Sequence, residues 1–380
     1  MTRLLSFCLV ILLTLAIFAT FPAWGQDKPI KPEPPTAKIG LAAPTRKAVE
    51  SAMDRGVRFL RTTQNQDGHW GDPGISALIL NAIFRSPRKY GPEDGPWVRK
   101  PLDYLVGCQK PDGGIYIDQL ANYNTSVAIL ALTAHPDVAK KYAQVIEKAK
   151  KFVFHIQCDE EEGYNPKADK FYGGFGYGSS ERPDLSNTHF AIEALRTAGV
   201  AADDPAFQKA LVFLQRCQNR SESNDMEWAG NDGGFVYYPG QSYAGSDQEQ
   251  GKTLLRSYGS MTYAGLKSYI YANVKRDDPR VQSAYNWIRQ NYDVTQNPGL
   301  GAQGLFYYYH TFAKTFALLG DATIVTQDGV EHNWREELSQ ILLAKQNTDG
   351  SWKNSQPRWW EIDPRLVTAY VLIALSYCLE

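Results

Sequence analysis

Histidine and cysteine are scarce in this chain of 380 residues, 6 of one and 5 of the other, and neither a CxxC pair nor a mixed Cys/His cluster occurs. The usual ligand spacing of a zinc site is therefore missing, and the sequence points to no metal and no cofactor. An excess of charge of one sign is also lacking, with 40 Lys and Arg against 41 Asp and Glu and no basic cluster. Nucleic acid and anionic membrane surfaces are therefore not expected partners. Beyond the first residues, no segment is apolar over the length a membrane span needs.

The one long apolar run lies at the start. Arg3 precedes Leu4 to Phe21, and Ala23-Trp24-Gly25 supplies small residues at a cleavage site. This pattern predicts a secretory signal over residues 1–25, with Gln26 as the new N-terminus and a secreted or periplasmic destination. Uncleaved, the same run would be an anchor. Residues 26–45 are rich in Lys, Pro and Ala and are expected to form a flexible linker. Residues 46–380 then form one domain. Cys108, Cys158, Cys217 and Cys378 remain after export. Four cysteines permit two disulfides, but the chain is not cysteine-dense, and buried free thiols are the expectation.

What the sequence has in abundance is repetition. Arg55-Gly56-x-x-Phe59-Leu60-x-x-x-Gln64-x-x-Asp67-Gly68-x-Trp70 is echoed by Gln109-x-x-Asp112-Gly113-Gly114-Ile115-Tyr116 and by Gln346-x-x-Asp349-Gly350-x-Trp352. Looser copies join Gln157 to Gly173-Gly174-Phe175 and Gln218 to Asp232-Gly233-Gly234-Phe235, and an eroded one runs from Asn297-Pro298-Gly299 to Gly304-Leu305-Phe306. Before each copy lies a charged amphipathic stretch: 47–63, 98–108, 142–156, 205–217, 279–291 and 333–345. After each comes a stretch apolar nearly all round, such as 75–84 and 365–375. A helix apolar on every face is buried on every face. Six alternations of this kind predict two concentric rings of helices, apolar inside and amphipathic outside. Asp-Gly makes the turns, and the following aromatic anchors each joint.

The stretch from Arg55 to Trp70 resembles the QW repeat of squalene and oxidosqualene cyclases, and similar hairpins build the β-subunits of protein prenyltransferases. The resemblance covers the chain from about residue 46 and implies an all-α (α/α)6 toroid. It also implies a central cavity near the N-terminal ends of the inner helices, where helix dipoles and free N–H groups gather. The family's chemistry is harder to find. Pro183-Asp184-Leu185-Ser186-Asn187-Thr188-His189 is similar to the aspartate-rich segment that protonates the substrate of class II terpenoid cyclases. Only Asp184 and Thr188 agree, and Ser186 stands where the family has its acid. His310 resembles the zinc-binding histidine of the prenyltransferases, but Arg256 and Tyr258 occupy the places of its Asp and Cys partners. His310 is then expected to be a hydrogen-bonded, partly buried histidine, and Asp184 a helix cap.

Residues that precede or open inner helices form the candidate ligand site: Tyr123, Asn124, Asn187, His189, Tyr258, Tyr309, His310, Trp359, Trp360 and Arg365, with Tyr307 among them at the mouth. Asp184, Glu361 and Asp363 are the candidate catalytic acids. The insertion from Ser221 to Leu255 is a candidate lid. Two readings stand. One is an exported binding or scaffold protein for a small hydrophobic or carbohydrate-like ligand. The other is an enzyme of different chemistry, such as a polysaccharide lyase or hydrolase, or more remotely a divergent terpenoid cyclase. Carboxylates converging on one site would favour an enzyme, and scattered capping carboxylates a binding protein.

Overall fold

The computed structural model describes residues 40–178, 181–249 and 251–380. The expected signal and most of the expected linker lie outside them. Helix α1, Ala43–Thr62, begins three residues inside the stretch read as linker. It buries Val49, Ala52, Met53, Val57 and Leu60, a spacing of three and four that gives one apolar stripe. Five more outer helices share this character: α3 (Pro96–Gly107), α6 (Ala143–His155), α8 (Pro205–Cys217), α10 (Pro279–Gln290) and α12 (Trp334–Ala344), while α5 (Pro136–Lys141) is a short connector. The inner helices are α2 (Pro73–Phe84), α4 (Ala121–Thr133), α7 (Leu185–Thr197), α9 (Gly259–Tyr271), α11 (Leu305–Leu319) and α13 (Pro364–Leu379). Every residue of α2 except Ile75 is buried, as are Leu366 through Cys378 on α13. Each inner helix packs on the next, and α13 packs on α2 to close the ring. The architecture is the expected (α/α)6 toroid.

The joints show what the repeated residues do. Gln157 Nε2 donates to Gly173 O and to Ala206 O, both at 2.9 Å. Gln64, Gln109 and Gln218 likewise strap the turn behind them to a carbonyl of the following outer helix or its edge. Gln346 does so across the ring closure, reaching Gly350 O and Ala52 O at 2.9 Å. The eroded fifth joint lacks a glutamine and is held through Asn297 instead. Gly350 has φ +91°, and a Cβ there would sit 2.6 Å from Arg55 O. Only glycine tolerates both that conformation and that approach.

Trp70 and Trp352 are buried joint anchors, and their indole N–H groups donate to Leu60 O and Leu342 O at 2.7 Å. Phe175 and Phe235 fill the same place, but at the second joint it is Ile115, not Tyr116, that is fully buried. Four thiols, Cys108, Cys158, Cys217 and Cys378, are free. Two small antiparallel hairpins, β1–β2 (Ser246–Glu249 and Lys252–Leu255) and β3–β4 (Ile324–Val325 and Glu331–His332), decorate the connections.

Candidate functional site

A cavity of about 330 Å³ opens at the end of the ring where all six inner helices begin. Its wall takes Ile75 from α2, Tyr123 from α4, Ser186, Asn187 and Phe190 from α7, Met261 from α9, Tyr307 from α11, and Leu366 and Tyr370 from α13. The wall is mostly carbon: Phe190 meets Tyr123 edge-on at 5.2 Å, and the Tyr123 and Tyr370 hydroxyls lie 3.2 Å apart. Burial pushes both phenols well above their usual pKa, so they stay neutral.

The rim is aromatic and strained. Trp359 and Trp360 have φ of 55° and 64°, and Leu120 has 58°. Such left-handed conformations are costly for large side chains and collect at functional sites. All three line the cavity and all three are exposed, Trp360 at 74%. Tyr243 packs on Trp359 at 5.4 Å, and the Arg358 guanidinium lies 4.4 Å from both rings. Tyr243 and Tyr237 come from the insertion expected to be a lid. That segment is pinned, since Leu185 N donates to Tyr237 O at 2.8 Å and Asn219 Nδ2 to Leu255 O at 2.6 Å. It supplies wall.

Of the residues proposed from sequence, Tyr123, Asn187, Tyr258, Trp359 and Trp360 line the cavity. Asn124, His189, Tyr309, His310 and Arg365 do not. Asn124 is buried beside Asp72, Tyr309 donates to Val294 O at 2.9 Å, and Arg365 is paired with Asp363 at 2.7 Å. His310 is not the hydrogen-bonded histidine expected: it is buried, and neither ring nitrogen has a partner among the described residues. Its rings of contact are Tyr370 and Phe190, at 5.3 and 6.2 Å, and burial lowers its pKa to about 3.

The three candidate acids all close helix ends. Asp184 Oδ1 accepts Asn187 N and Oδ2 accepts Asn187 Nδ2, each at 2.9 Å. Burial raises its pKa against those bonds. Glu361 Oε1 accepts Tyr307 N at 2.7 Å, capping α11 from the neighbouring joint, while Oε2 accepts Asn354 Nδ2 at 2.6 Å. Burial raises its pKa too. Asp363 caps α13 through Arg365 N at 2.8 Å, and although burial opposes its charge, Arg365 holds it below the usual carboxylate range. None of the three lines the cavity. Asp72 does, but its Oδ1 accepts Gly74 N at 2.8 Å as the cap of α2.

Ser186 faces the cavity and sits 3.1 Å from Tyr307 Oη. Behind Tyr307 runs a buried polar chain. His189 Nε2 lies 2.5 Å from Tyr307 Oη, and Lys267 Nζ lies 2.9 Å from His189 Nδ1 and 2.7 Å from Glu193 Oε2. Lys314 completes it on the other oxygen of Glu193. Sequence reasoning missed Tyr177, Tyr237, Tyr243 and Tyr370. The tyrosines of Tyr237-Tyr238 and Tyr243 inside a Gly- and Ser-rich insertion were the available signal.

Comparison with known proteins places this geometry. The prenyltransferase alpha-alpha toroid domain matches residues 123–241 and 253–380. Drimenyl diphosphate synthase of Streptomyces showdoensis is 27% identical over 188 residues, which are 47% of this chain and 32% of that protein, so the chain spans about a third of that relative's length. A variant of the type II terpene cyclase MstE from Scytonema, in complex with geranylgeranyl dihydroxybenzoate, aligns with TM-score 0.52 at 12% identity, covering 89% of this chain and 99% of its own. An inactive α-1,6-mannanase variant of Salegentibacter, in complex with α-1,6-mannotriose, aligns equally well, with TM-score 0.52 at 13% identity over 87% and 99%. At such identities both speak for the fold alone.

Proposed function

The chain belongs to the prenyltransferase alpha-alpha toroid family, and from that premise we propose that it is an exported protein that binds a small apolar ligand in the mouth of its ring. The observation that carries this reading is the division of labour among polar groups. Asp184, Glu361 and Asp363 are spent on helix ends, while the cavity is walled by Phe190, Met261, Leu366 and tyrosines. Hydrolysis of a glycosidic bond typically takes two carboxyl groups facing one site, and these three face elsewhere. Protonation of an alkene takes a carboxylic acid, and Ser186 stands in its place. An isoprenoid is the first ligand class to try, because the curated relative is a drimenyl diphosphate synthase.

Titration of the purified protein with farnesol should quench the fluorescence of Trp359 and Trp360 saturably. A Met261→Trp variant, which fills the cavity, should weaken that binding at least about tenfold, an overpacking effect of the usual size. Equal affinities for the two proteins would place binding elsewhere and end this reading. Incubation with squalene or prenyl diphosphates should leave both unchanged.

A further inference from the structure

We infer that Tyr307 and Asn187 form a recognition site for one hydroxyl group on an otherwise apolar ligand, Tyr307 donating to its oxygen and Asn187 accepting its hydrogen. The inference rests on the binding reading above and deepens it.

Asn187 lines the cavity, is 1% exposed, and its Oδ1 has no hydrogen-bond partner among the described residues. The amide cannot be turned over to hide that oxygen. Its Nδ2 donates to Asp184 Oδ2 at 2.9 Å, and reversal would bring two acceptors together. A buried unpaired acceptor is costly, and a ligand hydrogen would relieve it.

The direction of Tyr307 follows from the chain behind it. A protonated lysine has three donors and no acceptor. Lys267 therefore donates to Glu193 Oε2 and to His189 Nδ1. With Nδ1 accepting, the neutral ring carries its proton on Nε2, and that N–H points at Tyr307 Oη. The Tyr307 oxygen is thus an acceptor toward His189, and its own hydrogen is left for Ser186 or for whatever enters the cavity. Lys267 and Lys314 share one buried carboxylate, an arrangement that a low dielectric resolves toward neutrality. Burial lowers both lysines, with Arg85 adding to the effect at Lys314. Lys267 is the one placed against two acceptors, Glu193 Oε2 and His189 Nδ1, so the proton is assigned to it. His189 is depressed by burial and by Lys267, and stays neutral. Lys267 and His189 are positioning residues that act through Tyr307.

The test is binding of farnesol, its methyl ether and the hydrocarbon farnesene to the full chain at pH 6. The alcohol should bind about tenfold tighter than the ether, which leaves Asn187 Oδ1 unpaired, the effect of one hydrogen bond of ordinary strength. Farnesene should be weaker again, and Tyr307→Phe should bring the ether to within about threefold of farnesene while the alcohol, still donating to Asn187, keeps most of its advantage over the ether. In ¹⁵N-histidine spectra, the signal lost in His189→Gln should report an Nε2–H tautomer, a readout that does not depend on how Tyr307→Phe folds. Equal affinity for all three probes, or an Nδ1–H tautomer at His189, would overturn the polar site while leaving apolar binding intact. Failure of every probe to bind would instead remove the underlying reading, and this inference with it.

Discussion

Thr188 agrees in sequence with the aspartate-rich cyclase segment, yet its hydroxyl accepts the Phe175 N–H at 3.0 Å. Ser76, Thr125, Thr262 and Thr368 accept the equivalent N–H of Trp70, Ile115, Phe235 and Trp352. The residue belongs to the joint, repeated around the ring, and carries no trace of chemistry. His310 tells the opposite story, a buried polar side chain without a hydrogen-bond partner among the described residues. Its folded pKa of about 3 lies below the ordinary histidine value. The unfolded chain therefore binds a proton that the folded one refuses between about pH 6.5 and pH 3. By linkage, stability is complete above that window and is lost as pH falls through it. Relative to the wild type, His310→Leu should gain about 1.4 kcal/mol of stability per pH unit between pH 6 and pH 4. Urea titrations at three pH values measure this, and a difference that does not change with pH would mean His310 is protonated in the fold.

At the scale of elements, Gly71 and Gly350 share nearly the same φ, +90° and +91°, but Gly71 has open space around its Cβ position and Gly350 has Arg55 O. Gly71→Ala should cost only the left-handed conformation, about 1–2 kcal/mol. Gly350→Ala must in addition push α1 away from the last joint, and should cost at least about twice as much. Matched denaturation midpoints for the two variants would show that the joint is loose. Helix positions of this kind were legible in the sequence. Starts and ends of the outer helices fall within a few residues of the expected ones because Pro opens α1, α3, α8 and α10, and the repeated glutamine follows α1, α3, α6, α8 and α12 within two residues. The lining of the candidate cavity was half legible. Tyr123, Asn187 and Tyr258 were found because they open inner helices, whereas Tyr370 lies a turn and a half into α13 and Tyr237 and Tyr243 arrive from an insertion. Asp184, Glu361 and Asp363 cap helix ends and lie off the cavity lining, which the sequence did not show for a related reason. An acid just before a helix looks the same in sequence whether it caps or catalyses, and only the direction of the side chain decides.

For the whole molecule, the consequence of a closed ring is that its first helix is as internal as any other. Helix α1 packs on both α12 and α13. Closure is bonded as well as packed, through Gln346 to Ala52 O, Arg46 to Leu379 O at 2.9 Å, and Arg85 to Ser376 Oγ at 3.0 Å. Val49, Met53, Val57 and Leu60 are nearly or fully buried in that seam. At about 1.5–3 kcal/mol each, they contribute about 6–12 kcal/mol, as much as the net stability of a typical domain. A chain that starts at Gln64 should therefore lose its cooperative unfolding transition, with helical circular dichroism melting before tryptophan fluorescence changes. Adding a synthetic peptide of residues 40–63 should restore coincident transitions, because the groove between α12 and α13 fits that helix and the straps at Gln346 re-form on it. Were residues 64–380 to unfold in one step at the midpoint of the full chain, the ring would be an open array, and its cavity would need a different source of rigidity.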